Sequence, residues 1–490
     1  MAEELFLKEG LDPKGPPSPI DDDDDLQPSP SPFPLRDKDL PPILREIVSN
    51  APENRKIPSF IACLSPLCAL ATRIRLKYYY DSRPSALLLQ VIIEAPQSSG
   101  KQFAADIERL LMEDTLKARD QQQRRLEQDY REKKKRRKAN EKLEEEPRTT
   151  IRVIPATISK TVLVKRADFY ERNLGDVLSF WMFAEELAQV TDAGKQGYSN
   201  LRTIMRTAYD FGSRFGMDFA SDNSYSAIVD INICSMFCST PSALDDYMDK
   251  KAIEGGNITR TVLCQLDDKI GADGAIFRPY NPEQLNTIRC TLNKIMDDVY
   301  TPDGALRPEL PLDMSWLDKD VRRWCTAKGR QALESGSTAL DVFRKRSSVS
   351  AFRVAALCYY LYLLEGEGGR KEGASQGPPS PSIHHPSPSL AQKRARRIYL
   401  WMADYVLDML IKRWGRKFEE FQSKRNETTE AQVSNRPRLL DNLPRSFTRD
   451  QLGALLQKLE VPSPARVLLC QWKSYGWIKV VAKNQYEKLI

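Results

Sequence analysis

Histidine is nearly absent from this chain of 490 residues. There are two, His384 and His385, side by side in the Pro/Ser-rich stretch PPSPSIHHPSPS. No segment that reads as folded contains one. Ser-His-Asp and Cys-His nucleophilic catalysis, and every histidine-bearing zinc site, are therefore excluded from the folded parts. Uninterrupted apolar runs of about 18 residues are also missing, so a membrane-spanning helix is not expected. The first residues, MAEELFLKEG, lack the basic-then-apolar layout of a secretory signal. Cysteine is sparse, with nine in all. The nearest pairs, Cys63/Cys68 and Cys234/Cys238, lack the two-residue spacing of zinc ligands and lie in apolar runs, where a buried reduced thiol is the ordinary explanation. An odd cysteine count without a signal reads as a cytoplasmic protein.

What remains is ample core-forming material. The hydrophobic fraction is 41% and the charged fraction 29%, enough for two to four folded units. Residues 1–38 carry a five-Asp run and PSPSPFP, and read as a disordered acidic tail. Two short helices are expected from Pro41. Ala86–Ala95 (ALLLQVIIEA) then reads as a strand buried on both faces, as in a parallel sheet. A long helix starts near Gln102, amphipathic at first and almost wholly charged or amide-bearing from Lys117 to Glu146. Further strands are expected at Thr149–Thr157, Asp176–Phe183, Ala227–Cys238 and Ile258–Leu266, with helices over Ser159–Arg172 and Leu201–Phe211. Strands alternating with helices predict an α/β core over 39–280, carrying a charged helical insertion at 114–148. Residues 281–365 read as helical, 366–392 as a flexible Gly/Ser/Pro linker, 393–435 as a further helix and 436–490 as a small basic unit.

The most informative segment is Glu94-Ala-Pro-Gln-Ser-Ser-Gly-Lys-Gln102. A phosphate-binding loop needs a strand, a tight turn of backbone N–H groups, a Gly-Lys pair and a helix whose N-terminus faces the phosphates. All four are expected here. Lys101 would neutralise the phosphates, and the N–H groups of Ser98, Ser99, Gly100, Lys101 and Gln102 would cradle them. Two departures stand out. Ala95 occupies the place of the motif's first glycine, and Gln102 replaces the hydroxyl that normally holds Mg²⁺. A polar strand-to-helix turn is the plainer alternative.

Glu185 and Glu186 follow the apolar strand DVLSFWMF. Either would serve as the acid that holds metal and polarises the attacking water, with Glu185 preferred because it comes first after the strand. A helix start decorated with carboxylates is the alternative. Ser239 and Thr240 end the fourth strand, where a polar side chain can sense a γ-phosphate. Arg260 follows a glycine pair and precedes a strand, so it is a candidate arginine finger acting across a subunit boundary, or else a solvated or salt-bridged arginine. Arg344, Lys345, Arg346 and Arg353 form a further basic set, read as a nucleotide or nucleic-acid contact or as an ordinary basic helix face.

In order along the chain stand a degenerate SGK loop, a charged helix, TTIRVIPATIS, a strand ending in acids, a strand ending CSTP, GGNITR and FRKRSSVSAFRVAALCYYL. This ordered set, over Pro41 to Leu364, resembles the DUF3987 family, the primase–helicase-like P-loop proteins of bacterial mobile elements and prophages. The resemblance implies a RecA-like ATPase core that uses ATP and Mg²⁺ and acts on DNA. By it Lys101 is the phosphate lysine, Glu185/Glu186 the acidic motif and Arg260 a finger or sensor.

Two regions carry cations suited to nucleic acid. Lys133–Lys138 (KKKRRK) sits on the charged helix, which reads as a solvated arm or coiled coil, or as a phosphate-backbone contact. The C-terminal unit, from Arg436 onward, has ten Lys/Arg and four Asp/Glu within a chain whose net charge is +7. A helix begun by Thr448, a second helix over the VLLCQW segment and a strand after Gly476 predict a winged-helix-like module. Arg466, Lys473, Lys479 and Lys483 are its candidate DNA contacts, and protein docking is the alternative use. Trp472 and Trp477 read as core. The expectation is an ATP-dependent helicase or translocase with a possible ring-like homo-oligomer, its rival a non-hydrolysing DNA-binding adaptor.

Overall fold

A computed structural model describes residues 33–81, 83–137, 145–195, 201–218, 225–266, 274–366, 388–422, 440–458, 465–474, 477–482 and 484–489. The chain divides into two compact units. One comprises residues 1–327 and 344–409, the other 328–343 and 410–490.

The first unit is built on a five-stranded, wholly parallel sheet. Its strands are β3 (Gln90–Glu94), β4 (Val153–Pro155), β5 (Ser179–Ala184), β8 (Asn232–Ser239) and β9 (Thr261–Gln265), in spatial order β4-β5-β8-β3-β9. β3 and β8 are buried at every residue, as strands covered on both faces must be. This bears out the expected parallel α/β core. The fourth strand departs from expectation: Ala227–Cys238 breaks at Ile231. Its first part, β7 (Ala227–Asp230), forms a separate antiparallel hairpin with β6 (Arg214–Met217), and only the second part joins the sheet.

The connections explain which edge of the sheet can hold a site. From β3 the chain runs through α3 (Gln102–Met112), a short π-helical turn and α4 (Ala118–Arg136), then passes two strand positions to β4. It returns by α5 (Lys160–Leu174) to β5, next to β8. From β8 it crosses over β3 through α8 (Pro241–Tyr247) and α9 (Lys250–Glu254) to reach β9. The adjacent strands β3 and β8 thus send their outgoing connections in opposite directions. In open parallel sheets, ligands bind in the crevice at such a switch point, beyond the carboxyl ends of the strands.

Two helices near the sheet are apolar nearly all round. α2 (Lys56–Leu70) is buried from Pro58 to Leu70, as befits a helix without a polar face. α12 (Thr338–Gly366) is long and apolar enough to cross a membrane, but 94% of its apolar window lies inside the fold. Its few hydroxyls find partners there: Ser348 with Tyr78 and Tyr399, Ser350 with Tyr209. Ordered structure begins earlier than the composition indicates. Phe33 and Leu35, inside the segment read as a tail, are buried, with Phe33 packed on Phe60 and Trp401. Residues 1–32, most of the linker read at 366–392, and His384 and His385 lie outside the described residues. α13 starts at Pro388, before the expected 393.

In the second unit, β11 (Ser446–Thr448), β12 (Ile478–Ala482) and β13 (Gln485–Lys488) form an antiparallel sheet in the order β11-β13-β12. Two helices, α14 (Arg449–Lys458) and α15 (Ala465–Ser474), lie between β11 and β12 in the chain. Leu440, Phe447, Leu452, Leu468, Trp472 and Ile478 make a core drawn only from this segment, with Trp477 packed against it. Both tryptophans are core residues, as expected. Thr448 caps α14, its Oγ1 accepting from Gln451 N while the Gln451 amide oxygen accepts from Thr448 N, a reciprocal capping arrangement. The strand after Gly476 was expected; its partners β11 and β13 were not.

Candidate functional site: the loop at the carboxyl edge of the parallel sheet

The turn from β3 to α3 lies at the switch-point crevice. It is held by ladders on both sides: Ala95 N donates to Ser239 O, and Leu266 N donates to Glu94 O. Two residues take the left-handed conformation, Ser98 (φ 62°) and Gly100 (φ 65°). Nothing lies within 4 Å of where a Cβ on Gly100 would point, so glycine serves backbone conformation there and not space. Lys101 is right-handed helical and immediately precedes α3. A left-handed residue followed by a right-handed one turns successive N–H groups to one side, the geometry of an anion-binding concavity. The turn itself is solvent-accessible: Ser98, Gly100 and Gln102 are exposed, Ser99 and Lys101 half-buried.

Lys101 does not extend into solvent. Its Nζ donates to Ala95 O (3.2 Å), Pro96 O (3.4 Å) and Ser239 O (3.4 Å). The ammonium therefore bridges the ends of β3 and β8. Ser99 Oγ closes the turn on Pro96 O at 2.9 Å. A residue that sequence reasoning missed also acts here. Arg55, buried at the head of α2, donates from Nη2 to Ser99 O at 3.2 Å. No local signal marks it, because 44 residues of chain separate the partners. Below the turn, the buried Glu94 accepts from Gln265 Nε2 at 2.7 Å, tying β3 to β9.

Glu185 and Glu186 leave β5 at the same edge and are both exposed. Leu187 N donates to Cys238 O, which docks this turn on the end of β8. The Cys238 thiol senses the assembly. Burial pushes its pKa up to about 12, while Lys101 pulls it down and Glu185 pushes it up. Lys101 and Glu185 thus act electrostatically on one atom. Glu186 O accepts from Gln189 N at the start of the next helix, the helix-start arrangement weighed as the alternative. Ser239 Oγ donates to Thr240 O, and Thr240 Oγ1 accepts from Ala243 N, capping α8. Neither hydroxyl is aimed by these bonds at the crevice.

Arg260 is not brought to the loop. It ends a 3₁₀ turn just before β9, and β9 runs parallel to β3 with Thr261 opposite Gln90. Arg260 is therefore at the amino edge of the sheet, the far side from Lys101. Its Nε and Nη2 donate to Asp210 Oδ2 (3.2 and 2.8 Å), and Arg346 Nη1 takes Asp210 Oδ1 at 2.6 Å. Burial alone would raise the Asp210 carboxyl, but the two guanidiniums outweigh it and hold it below the usual range. Arg353 is buried, donating to Leu88 O and lying 4.2 Å over the Tyr209 ring. Arg344 donates to Cys325 O. Arg344, Arg346 and Arg353 are thus bonded within the fold while Lys345 is exposed, so the set is not the ordinary basic helix face of its plainer reading.

The charged helix is anchored more firmly than a solvated arm. Asp120 on α4 is buried, and its Oδ2 accepts from the backbone N of Arg152 (2.7 Å) and Val153 (2.5 Å). Arg152, fully buried, donates to Ser179 O, Ala69 O and Tyr300 Oη. Burial raises the Asp120 carboxyl to about 6 against the opposing pull of those N–H groups and of Arg152.

On the second unit, Arg466 and Lys473 are exposed on α15. Lys479 is paired with Glu487 at 2.8 Å across β12 and β13. Lys483 lies outside the described residues. Cys63, Cys68, Cys234, Cys238, Cys264, Cys290, Cys325 and Cys358 are unpaired, and all of these but Cys290 are buried, in line with the expected thiols. Among the described residues no three His, Cys, Asp or Glu side chains cluster as metal ligands. Mg²⁺ asks for less, one or two carboxylates plus phosphate oxygens and water, and the exposed carboxylates at the end of β5 fit that demand. No protein-family model matches this chain, and no curated protein matches it.

Proposed function

We propose that the first unit is an ATP-binding, RecA-like P-loop core and that the protein acts on DNA as a helicase- or translocase-type ATPase. The observation that carries this reading is Lys101, whose ammonium spans the ends of β3 and β8 at the switch-point crevice, beside a left-handed Gly100. The strand order supports it as well. The loop strand β3 is flanked by β8, which carries the polar Ser239-Thr240 end, and the acid-bearing β5 comes next.

In this reading a triphosphate takes the ammonium away from its three carbonyls, and the N–H groups of Ser98 to Gln102 receive the phosphate oxygens. Arg55 keeps the turn in shape through Ser99 O. Glu185 polarises the attacking water, and Glu185 or Glu186 would hold Mg²⁺, which supplies charge neutralisation at the phosphates. Arg260 has no part in this site within one chain. The C-terminal module, with helix pair, β-hairpin and exposed Arg466 and Lys473, is read as a winged helix that binds duplex DNA.

A second reading is favoured by Gln102, which puts a side-chain amide where a magnesium-binding hydroxyl is usual. There the protein binds nucleotide without hydrolysing it, as a DNA-bound adaptor. The two are separated by measuring ATP binding and ATP turnover on the same preparation, with and without DNA. The motor requires DNA-stimulated turnover that Lys101→Ala abolishes. Binding without turnover selects the nucleotide-switched adaptor, and absence of ATP binding removes the motor and leaves an adaptor whose loop binds nothing.

A further inference from the structure

α4 and α5 enclose a cavity of about 330 Å³ that is separate from the loop at the sheet edge. Helical spacing explains its walls. Glu127, Tyr130, Arg131 and Lys134 fall on one face of α4, and Val162, Lys165, Arg166 and Phe169 on one face of α5. The side walls are aromatic and apolar, chiefly Tyr130 and Phe169. The floor is a fixed carboxylate: Glu127 accepts from Arg166 (3.1 and 3.3 Å) and from Thr149 Oγ1 (2.6 Å). Burial would raise that carboxyl, but the bonds from Arg166 and Thr149 outweigh it and keep it ionised. The rim is cationic. Lys134 is exposed; Arg131, 70% exposed, pairs with the Glu127 carboxylate at 3.4 Å, and Lys165, 58% exposed, meets Glu146, which also lines the cavity, at 3.8 Å. Beyond the rim, residues 131–137 hold six cations against one acid.

We propose that this cavity is a binding site for single-stranded nucleic acid, taking one base between Tyr130 and Phe169 while flanking phosphates lie on Lys134 and Lys165. Three features combine to this. Aromatic walls beside a cationic track are how single strands are held without sequence preference, by stacking plus backbone charge. The volume is at the small end for ligand pockets, which suits one unstacked base and not a duplex. The floor is closed by Glu127, whose carboxylate is already bonded to Arg166, Thr149 and Arg131, so it shapes the slot without reading which base enters. Anchoring by Asp120 and Arg166 makes α4 a fixed wall of this slot.

The inference stands apart from the nucleotide reading and is tested separately, on the full chain without ATP. Fluorescence anisotropy with labelled 12-residue single strands gives affinity and its salt dependence. The charge reversal Lys134→Glu with Lys165→Glu involves exposed side chains. It should weaken single-strand binding at least tenfold and lower the salt slope by about 1.4, from two phosphate contacts, with duplex affinity kept. Tyr130→Ala should weaken single-strand binding about fivefold or more, as loss of one stacked base does. Single-strand affinity within twofold of the parent for the double reversal, or for Tyr130→Ala with an unchanged far-ultraviolet dichroism spectrum, overturns the proposal. Equal loss of duplex and single-strand binding also overturns it, since it leaves only non-specific charge.

Discussion

Single side chains carry three of the expectations. Lys101→Ala removes the one cation that joins β3 to β8 at the crevice. A hydrogen bond to a charged group is worth about 1.5–3 kcal/mol, so ATP affinity should fall at least tenfold by calorimetry. Arg260→Ala should behave oppositely, because Arg260 neutralises a half-buried Asp210 at the other edge of the sheet. Loss of one of two guanidiniums should cost about 1–3 kcal/mol in denaturant unfolding and leave ATP affinity intact. A large loss of ATP affinity with native stability would return Arg260 to the site. Asp120 links folding to pH. Its carboxyl is raised to about 6 in the fold against about 3.9 in an unfolded chain. The folded state therefore holds the proton more tightly, and stability falls as pH rises from about 4 to 6, by up to roughly 3 kcal/mol. Asp120→Asn should flatten that part of the stability–pH profile relative to the parent. A parallel profile would refute the assignment.

The elements were legible in proportion to how strongly one environment acted on them. Gln90–Glu94 and Asn232–Ser239 are buried on both faces, so their apolar runs announced parallel strands. The start of α3 at Gln102 and the helix expected over Ser159–Arg172 were also legible, because helix-starting residues act locally. Short strands were not. Leu310–Pro311 is two residues long and pairs with Ile74 and Arg75, 236 positions earlier, and no local pattern encodes such a partner. The break at Ile231 escaped notice because Ala227–Asp230 and Asn232–Ser239 are both β-forming, although they join different sheets. The loop's lysine was legible and its supporting arginine was not, since Arg55 reaches Ser99 only after folding. The same limit applied to the charged helix, whose composition reads as solvated although Asp120, Glu127 and Arg124 tie it to the body. Replacing Arg166 with Met should loosen that wall. Amide exchange on α4 beyond Glu127 should then quicken, with no change in β3 or β8.

For the whole chain, charge and core are distributed unevenly. The segment after Arg436 holds a hydrophobic cluster of its own and most of the excess positive charge. Removal of residues 436–490 should leave the first unit folded, with its ATP affinity unchanged. It should weaken duplex DNA binding at least tenfold and flatten its salt dependence, since each lost phosphate contact lowers the slope by about 0.9. Unchanged duplex affinity would assign the module to protein docking.

The bridge made by Lys101 has a consequence for selectivity. Three main-chain oxygens already act as an internal substitute for an anion, so any incoming group must displace them before it gains the ammonium. A weakly charged solute such as inorganic phosphate meets this threshold poorly, whereas a polyanion that also engages the adjacent amides exceeds it. The turn is thereby biased against the small anions abundant in solution, and the same displacement would uncouple the tips of two neighbouring strands.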